Sequence, residues 1–206
     1  MKVPARSLAQ LALPYANEQS YIATICDWER IEYGENKHRT IDSFYQCVKK
    51  NRTGFYLQLN HGKLIGYADI WELQPDFYSM LKSGTIDEES IAAKYVLGRT
   101  EPRTGLWYIG SIITDPKMRL EHPIGAAFVF RSICNALPQF FQEHSVFPAK
   151  ILGVGSSAFG KKLLARWGFK RVDSDPNAID FRPRFEKNMT KPSDADTLGF
   201  RSATIS

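Results

Sequence analysis

The chain has 206 residues, a formal net charge of +5, 43% hydrophobic and 13% aromatic residues. That composition can bury a core and excludes disorder, collagen and low-complexity classes. No apolar run approaches the roughly 18 residues of a membrane span, and no dense Lys/Arg run points to nucleic acid, so neither is an expected partner.

Residues 1–16 carry Lys2, Arg6 and a Leu–Ala stretch that Gln10 interrupts, which does not read as an export signal. A helix is predicted over residues 18–33, capped by Asn17 and ended by Gly34, with Tyr21, Ile25 and Trp28 on one face. A second follows Thr40, with the stripe Ile41, Phe44, Tyr45 and Val48. Residues 55–59 and 64–73 read as a hairpin about Asn60, His61 and Gly62, residue types that tolerate positive φ. Pro75 opens a short helix ended by Gly84, and the capping-box spacing from Thr85 to Glu88 predicts another to about Val96.

Residues 106–114 are nearly all apolar or small and read as a strand buried on both faces. Asp115 and Pro116 stop it, a loop runs to Pro123, and an apolar helix is predicted over residues 124–137, with Pro138 at its end. Residues 150–154 form a strand. Ser156 or Ser157 caps a helix to Trp167, Gly168 ends it, and strands follow at 169–172 and within 178–186. The expected organisation is one domain over residues 1–187, with a helical insertion at about 75–104 and a polar, flexible tail over 188–206. Cys26, Cys47 and Cys134 form no C-x-x-C pair and sit in apolar helical patterns. They read as buried free thiols of a cytoplasmic protein. The four histidines (His38, His61, His122, His144) are scattered, and no metal site is supported.

The most informative stretch runs from Ile112 to Arg119 and on through Ile124, Gly125, Ala126 and Ala127. A strand that feeds a helix N-terminus gathers free N–H groups and the positive end of the helix dipole, an anion site that Arg119 can reinforce. An ordinary strand–helix connection gives the same spacing. After a further strand comes Ser157-Ala158-Phe159-Gly160, then Trp167-Gly168-Phe169-Lys170-Arg171-Val172.

In this order the motifs Thr114-Asp115-Pro116, Arg119, Ile124-Gly125-Ala126 and Trp167-Gly168-Phe169 resemble the GNAT superfamily of acyl-CoA-dependent N-acyltransferases, over roughly residues 55–186. The resemblance implies an α/β (α+β) fold. Its mixed, mostly antiparallel central sheet has helices on both faces and a splayed parallel pair, the family's fourth and fifth strands, here 106–114 and 150–154. It implies acetyl-CoA as co-substrate, no metal, and acetyl transfer to a primary amine of a small molecule or protein, with a homodimer allowed for. Ile112, Ile113, Thr114, Arg119, Ile124, Gly125, Ala126, Ser157 and Gly160 would hold the CoA thioester, with a backbone N–H near Ile112–Thr114 polarising its carbonyl. Lys162 and Arg166, at i, i+4, face the nucleotide end or simply water. Asp69 and Glu72, on opposite faces of one strand, are the candidate bases, and Tyr108 a relay or acid.

This sequence departs from the family pattern in three places. Leu120-Glu121-His122-Pro123 is one residue longer than the usual loop and lacks its first glycines. Ser157 stands where the family often has Asn. Leu164 stands where a Tyr commonly protonates the departing thiolate. An acyltransferase fed by acyl carrier protein and a catalytically inactive GNAT-like binding domain are the alternatives.

Overall fold

The computed structural model of the chain describes residues 5–11, 13–34 and 39–200; Lys2 and His38 lie outside the described residues. Strand β1 (Arg6–Ser7) and helix α1 (Leu8–Leu11) lead into α2 (Tyr15–Tyr33), which begins one turn before the expected Asn17 cap. Pro14 stands at its N-cap, where a missing N–H costs nothing, and Gly34 ends it at φ 93°. In α3 (Ile41–Lys50) the Thr40 hydroxyl accepts the N–H of Ser43. The hairpin of β2 (Phe55–Asn60) and β3 (Lys63–Glu72) turns at His61 and Gly62, both at positive φ.

Downstream the structure corrects several expectations. Helix α4 (Pro75–Ser83) forms and Gly84 ends it in the left-handed region. No α-helix follows Thr85, only single 3-10 turns at Glu88–Ser90 and Ala93–Tyr95. The far end of that stretch is tied beside β3 instead: the Leu97 N–H donates to Glu72 and the Gln74 N–H to Tyr95. Strand β4 (Leu106–Thr114) runs as expected, but a short helix, α5 (Pro116–Glu121), replaces the loop after it. The Asp115 carboxylate nucleates α5 by accepting the N–H groups of Lys117 and Met118.

The apolar helix α6 (Pro123–Cys134) ends earlier than predicted, and Pro138 sits in the first turn of a further helix, α7 (Leu137–His144), rather than at an end. Against the expectation of no such run, the stretch Pro123–His144 is, by length and composition alone, apolar enough to cross a membrane. Here a turn at Asn135 and Ala136 divides it, and its buried side packs on the sheet. Then come β5 (Ala149–Val154), α8 (Ala158–Arg166) and β6 (Lys170–Val172). The last strand, β7 (Arg184–Met189), starts later than predicted, because Pro183 and the Asp180–Arg182 clasp occupy the preceding turn. The segment expected as a flexible tail is packed as far as it is described: Met189, Ala195 and Leu198 are buried.

The seven strands order as β1-β2-β3-β4-β5-β7-β6. Neighbours are antiparallel except β4 and β5. Alternation along the strands feeds two cores. Phe55, Leu57, Tyr67 and Trp71 meet α2, α3 and α4 on one face. Tyr56, Ala68, Ile70, Trp107 and Ile151 meet α6, α7 and α8 on the other. All three cysteines are buried and free; burial pushes the Cys26 thiol up to about 12 and Cys47 to about 11.

Helix α6 and the sheet approach closely at Gly66, where a Cβ would stand 2.7 Å from both Ile133 and Val129. Gly66→Ala overpacks that contact and is expected to lower the unfolding free energy by about 1–3 kcal/mol in a urea titration.

Candidate active site

Strands β4 and β5 pair in parallel only from Leu106↔Lys150 to Ile109↔Gly153. Beyond Ile109 they part, because β4 carries a bulge: Gly110 and Ser111 together oppose Asp69 of β3. The gap is a cleft of about 580 Å³, walled by β4, β5, α6, α8 and the end of α2. The Asp115 N–H donates to Ile65 of β3. By the two-residue alternation of an antiparallel ladder, Ile113 also faces β3, while the main-chain groups of Ile112 and Thr114 turn to the cleft.

A buried charge network sits under the bulge. The Asp69 carboxylate accepts the Ser111 N–H at 2.7 Å, the indole N–H of Trp71 and one Arg39 N–H at 2.9 Å. Arg39 also donates to Glu29, which accepts from the Tyr67 hydroxyl at 2.7 Å and from Ser111. Asp69 is 0% exposed, Glu29 3% and Arg39 8%. Burial holds the Asp69 carboxyl above the usual carboxylate range against the pull of Arg39. Burial also pushes Glu29 upward, but the Arg39 charge and its hydrogen bonds outweigh it and hold Glu29 below its ordinary value.

The three residues singled out as acid–base candidates are not brought together. Glu72 is buried on the opposite side of β3, where it accepts the N–H groups of Thr104 and Gly105 and pairs with Arg103 at 2.9 Å. Asp69 is enclosed as described. Neither lines the cleft. Tyr108 lines a small cavity that meets the main cleft at Tyr33 and Gly110. Its hydroxyl donates to Glu88, whose other oxygen is held by Arg182. Burial raises the Glu88 carboxyl above its ordinary value, against Arg182. The sequence does not single out Glu88 or Tyr33: its spacing makes Glu88 the last residue of a capping box and Tyr33 the last residue of a helix.

Of the expected thioester-binding residues, Ile112, Ile113, Thr114, Arg119, Ala126, Ser157 and Gly160 line the cleft. Ile124 and Gly125 do not. Ile124 points outward at 75% exposure, and the open face of Gly125 is filled by Met118, 2.9 Å from where a Cβ would be. Arg119 is paired with Glu32 at the cleft mouth. Leu164 lies over Gly153 on the cleft wall. Among the described residues no cluster of three or more His, Cys, Asp or Glu could hold a metal ion.

No protein-family model matches the sequence, and no curated protein matches it. Solved structures do match. A ribosomal-protein-alanine N-acetyltransferase from Brucella melitensis aligns with TM-score 0.53 and 13% identity over 90% of this chain and 99% of its own. Ard1 from Thermoplasma volcanium aligns with TM-score 0.52 and 9% identity over 91% and 97%. A GNAT-like decarboxylase, GphF, in complex with isobutyryl-CoA aligns with TM-score 0.53 and 12% identity over 82% and 95%. The fold is therefore that of the GNAT acetyltransferases, with the expected mixed sheet and parallel β4/β5 pair. At these identities the likeness is one of fold, and the neighbours' differing activities leave the reaction to the site itself.

Asp69→Ala removes a carboxylate from a buried cation and strands the Ser111 N–H. It is expected to lower the unfolding free energy by about 3–5 kcal/mol in denaturant titration. Asp69→Asn keeps an acceptor for Ser111 and should cost less; equal losses for the two would count against the hydrogen-bond assignment.

Proposed function

We propose that the protein is an N-acyltransferase that moves an acyl group, acetyl in the simplest case, from a CoA-type thioester to a primary amine by direct attack. The observation that carries this reading is the splayed β4/β5 cleft, with unpaired main-chain groups of Ile112 and Thr114 along one wall. A thioester carbonyl laid on that wall meets the Ile112 N–H, aimed where negative charge develops. One such donor supplies roughly 3 kcal/mol in the transition state.

The amine enters by the main cleft and comes to lie near Tyr33 and Gly110; the cavity beyond them, about 20 Å³, has room for a water, through which the amine's proton reaches Glu88. Glu88 takes that proton, and Tyr108 orients the carboxylate. A C–N bond forms, the tetrahedral intermediate collapses, and the C–S bond breaks. Leu164 carries no proton for the thiolate. Tyr33 lines the cleft, but burial pushes its phenol well above its ordinary value, whereas a free thiol titrates near about 8.5. The Tyr33 hydroxyl donates to Ser111 and keeps its proton, and the thiolate is protonated by water at the cleft mouth.

Release of free thiol from acetyl-CoA, followed against a panel of small amines, amino-sugars and peptide N-termini, tests the reading; no turnover with any acceptor would sink it. Glu88→Gln is expected to lower kcat/KM by about 100-fold with donor affinity kept. Because Glu88 titrates above the ordinary carboxylate range, wild-type activity should rise with pH through that region, and the variant should lose that limb. Ala127 lines the cleft from the exposed side of α6. Ala127→Trp should abolish donor binding while leaving stability within about 0.5 kcal/mol.

A further inference from the structure

The wall of the cleft that holds a thioester arm is open, but the position where a nucleotide diphosphate would be gripped is not. A main-chain diphosphate grip needs unclaimed N–H groups. In residues 117–126, all described, almost none remain. The N–H groups of Lys117 and Met118 go to the Asp115 carboxylate, Arg119 donates to the Asp115 carbonyl, and His122 donates to Met118. Leu120 and Glu121 lie inside α5, whose ladder takes theirs. Pro123 has no N–H, and Ala126 donates back to His122. Ile124 and Gly125 alone are left without a described partner, and Met118 fills the space over Gly125.

Side chains point the same way. Arg119 is paired with Glu32 at 2.5 Å, and Lys117 with Glu121 at 3.7 Å, so the cations of the mouth already face carboxylates. Leu120 on α5 and Ile124 and Phe128 on α6 are apolar and exposed, at 87%, 75% and 66%. At α8 the Ser157 hydroxyl takes the Gly160 N–H, and Phe159 packs on Phe130 at the cleft wall. Lys161 and Lys162 do not line the cleft.

We infer that this cleft recognises an acyl-pantetheine thioester by its arm and acyl group, with little contribution from a nucleotide diphosphate. The inference rests on the acyltransferase reading for its chemistry, but not for its binding test. The shared chemistry, acyl-pantetheine, is available both on CoA and on the prosthetic arm of an acyl carrier protein.

Calorimetry with CoA and with reduced pantetheine decides the point without an acceptor amine. The two dissociation constants are expected to agree within about threefold and to change little between low and high salt. An intact grip of several charge-assisted hydrogen bonds would separate them by roughly 100-fold or more. CoA favoured by that margin, with affinity falling as salt rises, would overturn the inference, as would binding of neither. Where turnover is found, acetyl-pantetheine should match acetyl-CoA in kcat/KM within the same factor. Acetyl-CoA active with acetyl-pantetheine inert would overturn the inference and leave the acyltransferase reading standing. An acetylated carrier protein outperforming both would support it and identify the source. Glu32→Gln releases Arg119 and should raise CoA affinity several-fold without changing that for pantetheine; an equal change for both ligands would count against the assignment.

Discussion

One carboxylate sets the shape of this molecule's working end. Asp69 stands on a central strand, fully buried, and takes the Ser111 N–H. Two residues of β4 are thereby gathered opposite one of β3, and β4 swings away from β5. A Cβ at Gly110 would stand 2.3 Å from that carboxylate, so only glycine fits the bulge. Isolated, an ionised Asp69 would be intolerable at this depth. Arg39 compensates it and shares itself with Glu29, which joins the end of α2 to the sheet. The cleft is thus a consequence of a buried ion network rather than of loops, and the network's cost is the cost of keeping the sheet split.

The small cavity at Tyr108 is walled by the segment between β3 and β4. The segment's ends are pinned to the sheet by main-chain bonds from Gln74 and Leu97, and Phe77 stacks on Tyr95 at 4.1 Å. Arg184, 0% exposed, reaches from β7 to the Leu81 carbonyl and pairs with Asp180. Arg182, next in that turn, holds both Asp180 and Glu88. The insertion is a fastened wall that carries Glu88 to its cavity, not a loosely hinged cover.

Much of this was legible in the residues. Strand β4, the β2–β3 hairpin, Gly34, Gly84 and Gly168 as helix stops, and Ser157 as a cap all follow from local rules, because their determinants lie within a few positions of each other. The failures share the opposite property. Thr85 to Glu88 has the spacing of a capping box, but Tyr108 and Arg182 claim the Glu88 carboxylate from a distance. Asp69 reads as a free acid on a strand, and nothing nearby in sequence reveals Arg39, thirty residues earlier, as its partner. Residues 188–200 look polar, yet Met189, Ala195 and Leu198 supply enough apolar surface to dock. The glycines missing after Arg119 were visible from the start; that Met118 and Asp115 fill their place required the fold.

That docked segment has its own significance. The Trp167 indole N–H donates to the Gly199 carbonyl, the Phe200 N–H donates to Asn135, and the Phe200 ring lies against Phe130, between Arg131 and Arg166. Trp167 and Phe130 both line the cleft. Gly199 and Phe200 thus act as a buttress behind the cleft. A protein shortened for convenience to lack Gly199 and Phe200 would lose the support behind Trp167 and Phe130.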